Sequence, residues 1–253
     1  MRAFGAIGVA FLACVIYLLV DWLRERRRLR AYVRSLPPMP LDPWDRVLAL
    51  AARLGNEHRA YEDPVYLCPI FRSFGATASA LMENGGCCSG LSRLYMLALE
   101  AQGVRANQVT VYHQEGYAQH CLVEVHLAEG SACVDPVYGI YYGDEAGRPL
   151  GLEGLQGGAR VRCHAIPGAR NPGYPADPYY DFDYALTRTA NWTRSWPRRT
   201  AYALLRLLSN GGVDRMRVPQ LLEWPQTLLA LLLTGLAAAG SAVLALSRSL
   251  PAF

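Results

Sequence analysis

The sequence predicts an α+β domain flanked by an N-terminal and a C-terminal transmembrane helix. Ala3–Val20 and Leu228–Leu246 are uninterrupted apolar runs of 18 and 19 residues without a charge, and about 20 such residues cross a bilayer. Between the runs, segments of helical periodicity are followed by segments of alternating and β-branched residues, which is the pattern of helices followed by an antiparallel sheet. A chain of 253 residues leaves room for one sizeable core between the spans.

The first apolar run is interpreted as a retained anchor and not as a cleaved signal peptide. It is longer than the roughly 7–15 residues of a signal-peptide core, and Asp21-Trp22-Leu23-Arg24 stands where a small-residue cleavage site would be. The alternative for the second run is a buried soluble helix. A run that is apolar on every face favours the membrane instead.

These interpretations divide the chain into five segments. We expect a transmembrane anchor over residues 1–23, a basic and proline-rich linker over 24–42, the α+β domain over 43–212, a second linker over 213–227 and a transmembrane helix over 228–246. The second span also contains small residues that suit packing against the first span or against a membrane-protein partner: Gly235, Ala239 and Gly240.

The arginines predict which side of the membrane holds the domain. Arg2 alone precedes the first span, whereas a dense group of arginines follows it: Arg24, Arg26, Arg27, Arg28, Arg30 and Arg34. Because basic flanks tend to stay in the cytoplasm, we expect an integral inner-membrane protein with a cytoplasmic domain. Seven cysteines, an odd number without a repeating spacing, also fit a reducing compartment better than a disulfide framework.

Two helices are predicted in the first half of the domain. Trp44–Leu54 has apolar residues at helical spacing, and Asp42 is placed to cap its N-terminus. The pair Gly85-Gly86 then breaks the chain before a second apolar helix, which begins at Cys87-Cys88. The cysteine pair is therefore expected at a helix N-terminus.

The second half of the domain is predicted to be mainly strand. Four segments have strand patterns: Val104–Tyr112, Gln119–Leu127, Ala132–Val134 and Ala159–Ile166. Asn171–Arg199 is dense in aromatic residues and arginine, which suits either a surface at the level of lipid headgroups or an ordinary aromatic-rich wall of the domain. Thr200–Leu208 is predicted to be a short amphipathic helix.

Three residues of the domain together offer a nucleophile, a base and a carboxylate. A thiol at a helix N-terminus beside an imidazole is stabilised as thiolate, and the backbone N–H of Cys88 can also point at a developing oxyanion. His120 would move the proton, and Asp135 would fix the tautomer of the imidazole. His120 and Asp135 fall on neighbouring predicted strands and can share a sheet face, so we expect Cys88, His120 and Asp135 to converge as a catalytic triad.

Alternatives remain open at several of these positions. Cys87, directly before Cys88, is the alternative nucleophile, and Asn84 is a possible second oxyanion donor or simply a turn residue before the glycine pair. Each triad residue also has a purely structural interpretation, since a cysteine is often a small buried hydrophobe.

A zinc site is the competing use of the same side chains. Its possible ligands are Cys87, Cys88, His120, Cys121 and Cys133, but adjacent cysteines without a Cys-x-x-Cys pair do not match common structural zinc patterns. No phosphate loop or dinucleotide fingerprint is present, so we expect neither metal nor cofactor. The net charge of +4 is mild, and its basic runs lie beside the spans, which indicates anionic lipid and not nucleic acid as the partner.

The motifs around these residues resemble the transglutaminase-like superfamily of papain-related cysteine enzymes. The likeness covers residues 80 to 142 and consists of three matches: Gly86-x-Cys88-x-x-x-Ser92 for Gly-x-Cys-x-x-x-Ala/Ser, His120 to Glu124 for the His-Ala-Trp-x-Glu strand, and Asp135-Pro136 for Asp-Pro. Two departures are Cys121-Leu122 in place of Ala-Trp and the extra cysteine before the inferred nucleophile.

The resemblance implies a papain-like or transglutaminase-like core in which a cysteine-bearing helix packs on a sheet that carries the histidine and the aspartate. It further implies thiol chemistry through a thioester, with hydrolysis of a peptide or protein substrate as the first expectation, as in bacterial peptide-maturation proteases of this general type. The alternatives are acyl transfer to an amine and a catalytically silent membrane scaffold that keeps the fold.

Overall fold

The computed structural model describes residues 2–58, 76–157, 160–170, 182–189, 196–210, 212–216 and 223–249. Its helices are α1 (Arg2–Ser35), α2 (Pro43–Glu57), α3 (Ala78–Asn84), α4 (Cys88–Ala101), α5 (Leu152–Gln156), α6 (Trp196–Ser209) and α7 (Pro225–Ser249). Its strands are β1 (Arg105–His113), β2 (Ala118–Leu127), β3 (Gly130–Asp135), β4 (Ile140–Gly143), β5 (Arg162–Ala165) and β6 (Phe182–Arg188). The predicted α+β class is confirmed.

The six strands form one antiparallel sheet in the order β5-β4-β3-β2-β1-β6. The predicted strands correspond to β1, β2, β3 and β5, with β1 and β2 within one residue of the expected bounds. The short strands β4 and β6 were not predicted. β6 lies in the segment Asn171–Arg199, and residues 171–181 and 190–195 of that segment lie outside the described part of the chain.

The core is divided between the two faces of the sheet. On one face Val123 and Val125 of β2 pack in a cluster that contains α4, α2 and parts of α1 and α3. On the other face Leu122 packs in a second cluster that includes Leu152 and Leu155 of α5. This alternation along β2 follows from the period of two in a strand, and it leaves α4 fixed along the middle of the sheet.

The two predicted helices of the domain are present as α2 and α4. Asp42 caps α2 as expected, because its Oδ1 accepts a hydrogen bond from the Asp45 amide at 2.9 Å. The unpredicted helix α3 ends at Gly85, whose φ of 69° lies in the left-handed region that glycine adopts without strain. This turn brings the chain to Cys87 and the start of α4.

Residues 24–35, which belong to the predicted linker over residues 24–42, continue the helix α1. Glu25 is 3% exposed and Leu29 is 2% exposed. The Glu25 carboxylate accepts hydrogen bonds from the Ser79 amide at 2.8 Å and from the Ser79 hydroxyl at 2.7 Å. Basic composition suggested a solvated connector, but the buried residues of this segment belong to the domain core.

Within the part of the chain that the structure describes, one helix is long and apolar enough to cross a bilayer. It covers Pro225–Val243 of α7, 19 residues with a mean hydropathy of 1.6. The helix begins inside the predicted linker 213–227, and its first turns are buried against the domain. The side chains of residues 3–7 are not among those described, so the first span, Ala3–Val20, stays a prediction, as does the cytoplasmic orientation.

Candidate active site

His120 and Asp135 form a buried pair on adjacent strands. Nε2 of His120 lies 2.6 Å from Oδ2 of Asp135, and the side chains are 6% and 0% exposed. The other carboxylate oxygen, Oδ1, accepts hydrogen bonds from the amides of Val137 and Tyr138 at 2.9 and 3.2 Å. Because the turn after β3 holds one oxygen, the second is fixed toward the imidazole.

Aromatic rings surround the imidazole of His120. The Tyr138 ring lies 4.9 Å from it between centroids, and the Phe182 ring of β6 lies 6.4 Å away in a stacked arrangement with an interplanar angle of 15°. These rings limit the rotation of the imidazole and exclude water from its faces. Nε2 is engaged with Asp135, so Nδ1 is the nitrogen that remains for the thiol.

Cys88 is the first residue of α4, and it lies near enough to His120 to contribute to the raised pKa of the imidazole. Cys87 is the N-cap residue, and its side chain makes no capping hydrogen bond. The first amides of a helix have no partner within the helix, so those of Cys88 and Ser89 point outward from the end that carries the positive pole of the helix dipole. This geometry suits a negative charge on the sulfur and on an adjacent oxyanion.

Two hydrogen bonds fix the start of α4 to the sheet. The Ser92 hydroxyl donates to the carbonyl oxygen of Cys121 at 2.7 Å, immediately after His120 in β2. The Gln108 side chain of β1 donates to the carbonyl oxygen of Ser89 at 2.7 Å. Both Ser92 and Gln108 are buried, so the helix that carries the thiol and the strand that carries the imidazole are held together.

A β-bulge lies directly beside the imidazole. Val111 pairs with His120 and Tyr112 pairs with Ala118, so Gln119 is an extra residue in β2. A bulge bends its strand and redirects the neighbouring side chains, and bulges are frequent next to active sites.

The pKa of His120 is raised well above its ordinary value of 6.5. Burial is the largest single effect and lowers the pKa, but the charge and hydrogen bond of Asp135, with a smaller contribution from Cys88, outweigh it. An imidazolium is thus favoured between the carboxylate and the sulfur. This is the charge state that stabilises a neighbouring thiolate.

The two adjacent cysteines differ in their surroundings. The sulfur of Cys87 lies 3.3 Å from the Ser89 hydroxyl oxygen. A hydrogen bond with Cys88, followed by burial, raises the pKa of Cys87 to about 12, so this thiol is protonated at neutral pH. A protonated thiol is a poor nucleophile, so the surroundings of Cys87 favour Cys88 as the candidate nucleophile of the pair.

The remaining predicted site residue, Asn84, is used locally. It is exposed at the end of α3, and its amide donates to the carbonyl oxygen of Ala80 at 3.1 Å, one turn back in the same helix. That contact matches the alternative interpretation of Asn84 as a residue of the turn before the glycine pair.

The zinc alternative finds no geometric support among the described residues, where no group of three or more His, Cys, Asp or Glu side chains is arranged to hold a metal ion. Cys133 is fully buried, and burial raises its pKa, which opposes the thiolate form that zinc requires. Cys121 approaches the Thr110 hydroxyl at 3.8 Å.

Sequence reasoning missed the residues that support the triad. Tyr138, Phe182 and Gln108 carry no motif, and Gln108 does not stand out in β1, where the equally polar Asn107 precedes it. Comparison of this chain with protein-family models, with curated proteins and with solved structures gave no match.

Proposed function

We propose that this protein is a membrane-tethered cysteine hydrolase that cleaves an amide bond of a peptide or protein through Cys88, His120 and Asp135. The single observation that carries the proposal is the position of the His120 imidazole. One of its nitrogens is bonded to a fully buried carboxylate, and the Cys88 thiol, at an uncapped helix N-terminus, is near enough to contribute to the raised pKa of the imidazole.

In the first half of the reaction, the Cys88 thiolate attacks the carbonyl carbon of the substrate and forms a C–S bond. The negative charge moves to the carbonyl oxygen, where the amides of Cys88 and Ser89 can donate to it. The imidazolium of His120 then protonates the leaving amine as the C–N bond breaks. The products of this step are a free amine and a thioester on Cys88.

In the second half, neutral His120 takes a proton from water, and the resulting hydroxide attacks the thioester carbon. The C–S bond breaks, the acid leaves, and the imidazolium and the thiolate are restored. Asp135 stabilises the imidazolium in each half, and its carboxylate stays ionised throughout.

Support for a papain-like or transglutaminase-like core comes from the arrangement of the elements. α4 carries the thiol at its N-terminus and packs along β1 and β2, while the histidine and the aspartate lie on β2 and at the end of β3. This arrangement matches the one that the sequence motifs imply, and on this basis we propose that the chain belongs to that superfamily.

The tether is proposed to consist of α1 and α7, packed side by side in opposite directions. Asp21 of α1 accepts a hydrogen bond from Gln226 of α7 at 2.9 Å. Further along α1, Arg26 lines a small cavity together with Trp224, which precedes Gln226. The two helices therefore run antiparallel. The 19-residue segment Pro225–Val243 of α7 is about 29 Å long, close to the roughly 30 Å of a bilayer core, and the part beyond Ala230 extends out of the domain. Both chain ends would then lie opposite the domain, which we place in the cytoplasm.

Thiol labelling of the full-length protein in membranes tests the proposal. Iodoacetamide at pH 6 should modify Cys88 faster than an ordinary thiol, which is largely protonated at that pH. Cys88→Ala should abolish the fast labelling, whereas the matched control Cys87→Ala should retain it. Fast labelling that disappears only in Cys87→Ala would contradict the assignment of the nucleophile.

The acceptor of the acyl group is tested by trapping the acyl-enzyme with a labelled primary amine. Release of acid without amine incorporation supports hydrolysis, and efficient incorporation supports the alternative of acyl transfer. A protein whose Cys88 reacts no faster than a free thiol and forms no acyl adduct would instead be the silent scaffold.

A further inference from the structure

Helix α6 exposes a stripe of large apolar side chains. Leu204, Leu207 and Leu208 are 57%, 82% and 83% exposed, and they lie at positions i, i+3 and i+4, which share one face of a helix. A soluble surface helix normally turns such a face toward its core. Here the stripe is left uncovered, and it needs a partner outside the described chain.

The rest of α6 is already attached to the domain. Ala201, Tyr202 and Leu205 pack around the fully buried Val213 of the following short helix, and the Tyr202 hydroxyl accepts a hydrogen bond from Arg188 at the end of β6 at 3.2 Å. The helix is therefore fixed by one side. The leucine stripe cannot turn inward without breaking these contacts.

The charge of α6 indicates the nature of the missing partner. Its 14 residues contain Arg198, Arg199 and Arg206 and no acidic residue. A second copy of the chain docked on the same face would bring like charges together. The positive charge of α6 instead attracts it to an anionic lipid surface, whose acyl chains receive the leucines, which is how amphipathic interfacial helices bind.

The position of α6 in the chain points the same way. It is followed by the short helix Gly212–Arg215 and the exposed Met216, and α7 begins nine residues after Met216, at Pro225. Leu231 of α7, at the point where that helix leaves the domain, is 51% exposed. The leucine stripe and the lipid-facing part of α7 are thus close along the chain.

We propose that α6 is an interfacial helix whose Leu204, Leu207 and Leu208 insert into an anionic bilayer surface beside the helix α7. The inference rests on the membrane tether of the proposed function but not on its chemistry. It gives the domain a third membrane contact, which prevents the domain from rotating about the α1–α7 pair.

Photo-crosslinking of the full-length protein in vesicles tests the inference. A benzophenone amino acid is placed at Leu207, at Arg206 on the other side of the same helix, or at Leu231 of α7, and lipid adducts are measured by mass spectrometry. The vesicles contain phosphatidylcholine with or without phosphatidylglycerol. Circular dichroism and thermal unfolding of each variant show that the domain is folded.

We expect lipid adducts at Leu207 to exceed those at Arg206 several-fold and to fall when phosphatidylglycerol is left out. Adducts at Leu231 with equal, low yields at Leu207 and Arg206 would overturn the interfacial role of α6 and leave the tether intact. Adducts from Leu207 to a second copy or to another protein would also overturn it. Absence of lipid adducts at both Leu207 and Leu231 would overturn the tether as well.

Discussion

The substitution Asp135→Asn tests the active-site geometry most directly, because the structure dictates how the new amide must orient. Oδ1 of Asp135 accepts from two backbone amides, those of Val137 and Tyr138. An asparagine at this position keeps both bonds only if its oxygen replaces Oδ1. Its NH2 group then replaces Oδ2 and faces Nε2 of His120.

This orientation forces the wrong tautomer on the imidazole. An NH2 donor requires an acceptor at Nε2, so the proton of neutral His120 moves to Nδ1, the nitrogen that must accept a proton from thiol or water. The negative charge that opposes the lowering of the His120 pKa by burial is also lost. A triad with the wrong tautomer loses roughly 10⁴ in turnover, which corresponds to about 5 kcal/mol in the barrier.

The assay is the steady-state release of p-nitrophenolate from an activated ester. This leaving group departs without protonation by an acid, but hydrolysis of the thioester on Cys88 still needs His120 as the base. The variant should unfold at a lower temperature than the wild type, because the charge that pairs with buried His120 is lost, but circular dichroism should show that it is folded at the assay temperature, since the backbone hydrogen bonds are preserved. An Asp135→Asn protein that hydrolyses the ester within a few-fold of the wild-type rate would refute the proposed role of the pair.

Three further outcomes follow from the same geometry. The pKa of His120 is raised in the folded state, so its contribution to the free energy of unfolding is fully present below about pH 6.5 and is lost as pH rises through the folded pKa. The difference in free energy of unfolding between wild type and His120→Gln, measured with urea, should therefore shrink as the pH rises over that range. A constant difference would contradict the direction of the shift. In Gly55→Ala the new Cβ would stand 2.1 Å from the carbonyl oxygen of Pro136, next to Asp135, so both the melting temperature and the labelling rate of Cys88 should fall. Ser92→Ala removes the hydroxyl that donates to the buried Cys121 carbonyl and should lower the free energy of unfolding by about 1–3 kcal/mol. An unchanged free energy of unfolding would contradict this contribution.

The local elements of the fold could be predicted because their signals are short-range. Asp42 caps α2, a glycine pair precedes α4, and alternation along β1 and β2 fixed their bounds within one residue. The pairing of His120 with Asp135 was also predictable, since neighbouring antiparallel strands of known length restrict which side chains meet. The thiol at the helix start followed from the same glycine signal.

The missed features depend on contacts between distant parts of the chain. β6 has an aromatic and charged sequence that suits several environments, and only its pairing with β1 makes it a strand. Residues 24–35 look like a basic connector, yet the exposed arginines alternate with the buried Glu25 and Leu29. Helical periodicity over that segment was the available signal, and the density of arginine concealed it.

The anchors and the active site share one core, which leads to a prediction for truncated proteins. The buried Arg93 of α4 donates to the carbonyl oxygen of Ala76 at 2.7 Å and to that of Glu223, just before α7. Likewise, Glu25 of α1 holds the start of α3 through Ser79.

Deleting residues 2–20 removes only the part of α1 that extends beyond these contacts, so a protein in detergent should keep the labelling of Cys88. Deleting residues 2–35 also removes Leu29, whose burial contributes about 1.5–3 kcal/mol, and the hydrogen bonds of Glu25, at about 1.5–3 kcal/mol each. The sum is comparable to the 5–15 kcal/mol that stabilises a whole domain, so this protein should be unfolded by circular dichroism and should label as an ordinary thiol. A folded and reactive protein without residues 2–35 would mean that the second half of α1 is the dispensable linker that its composition suggests.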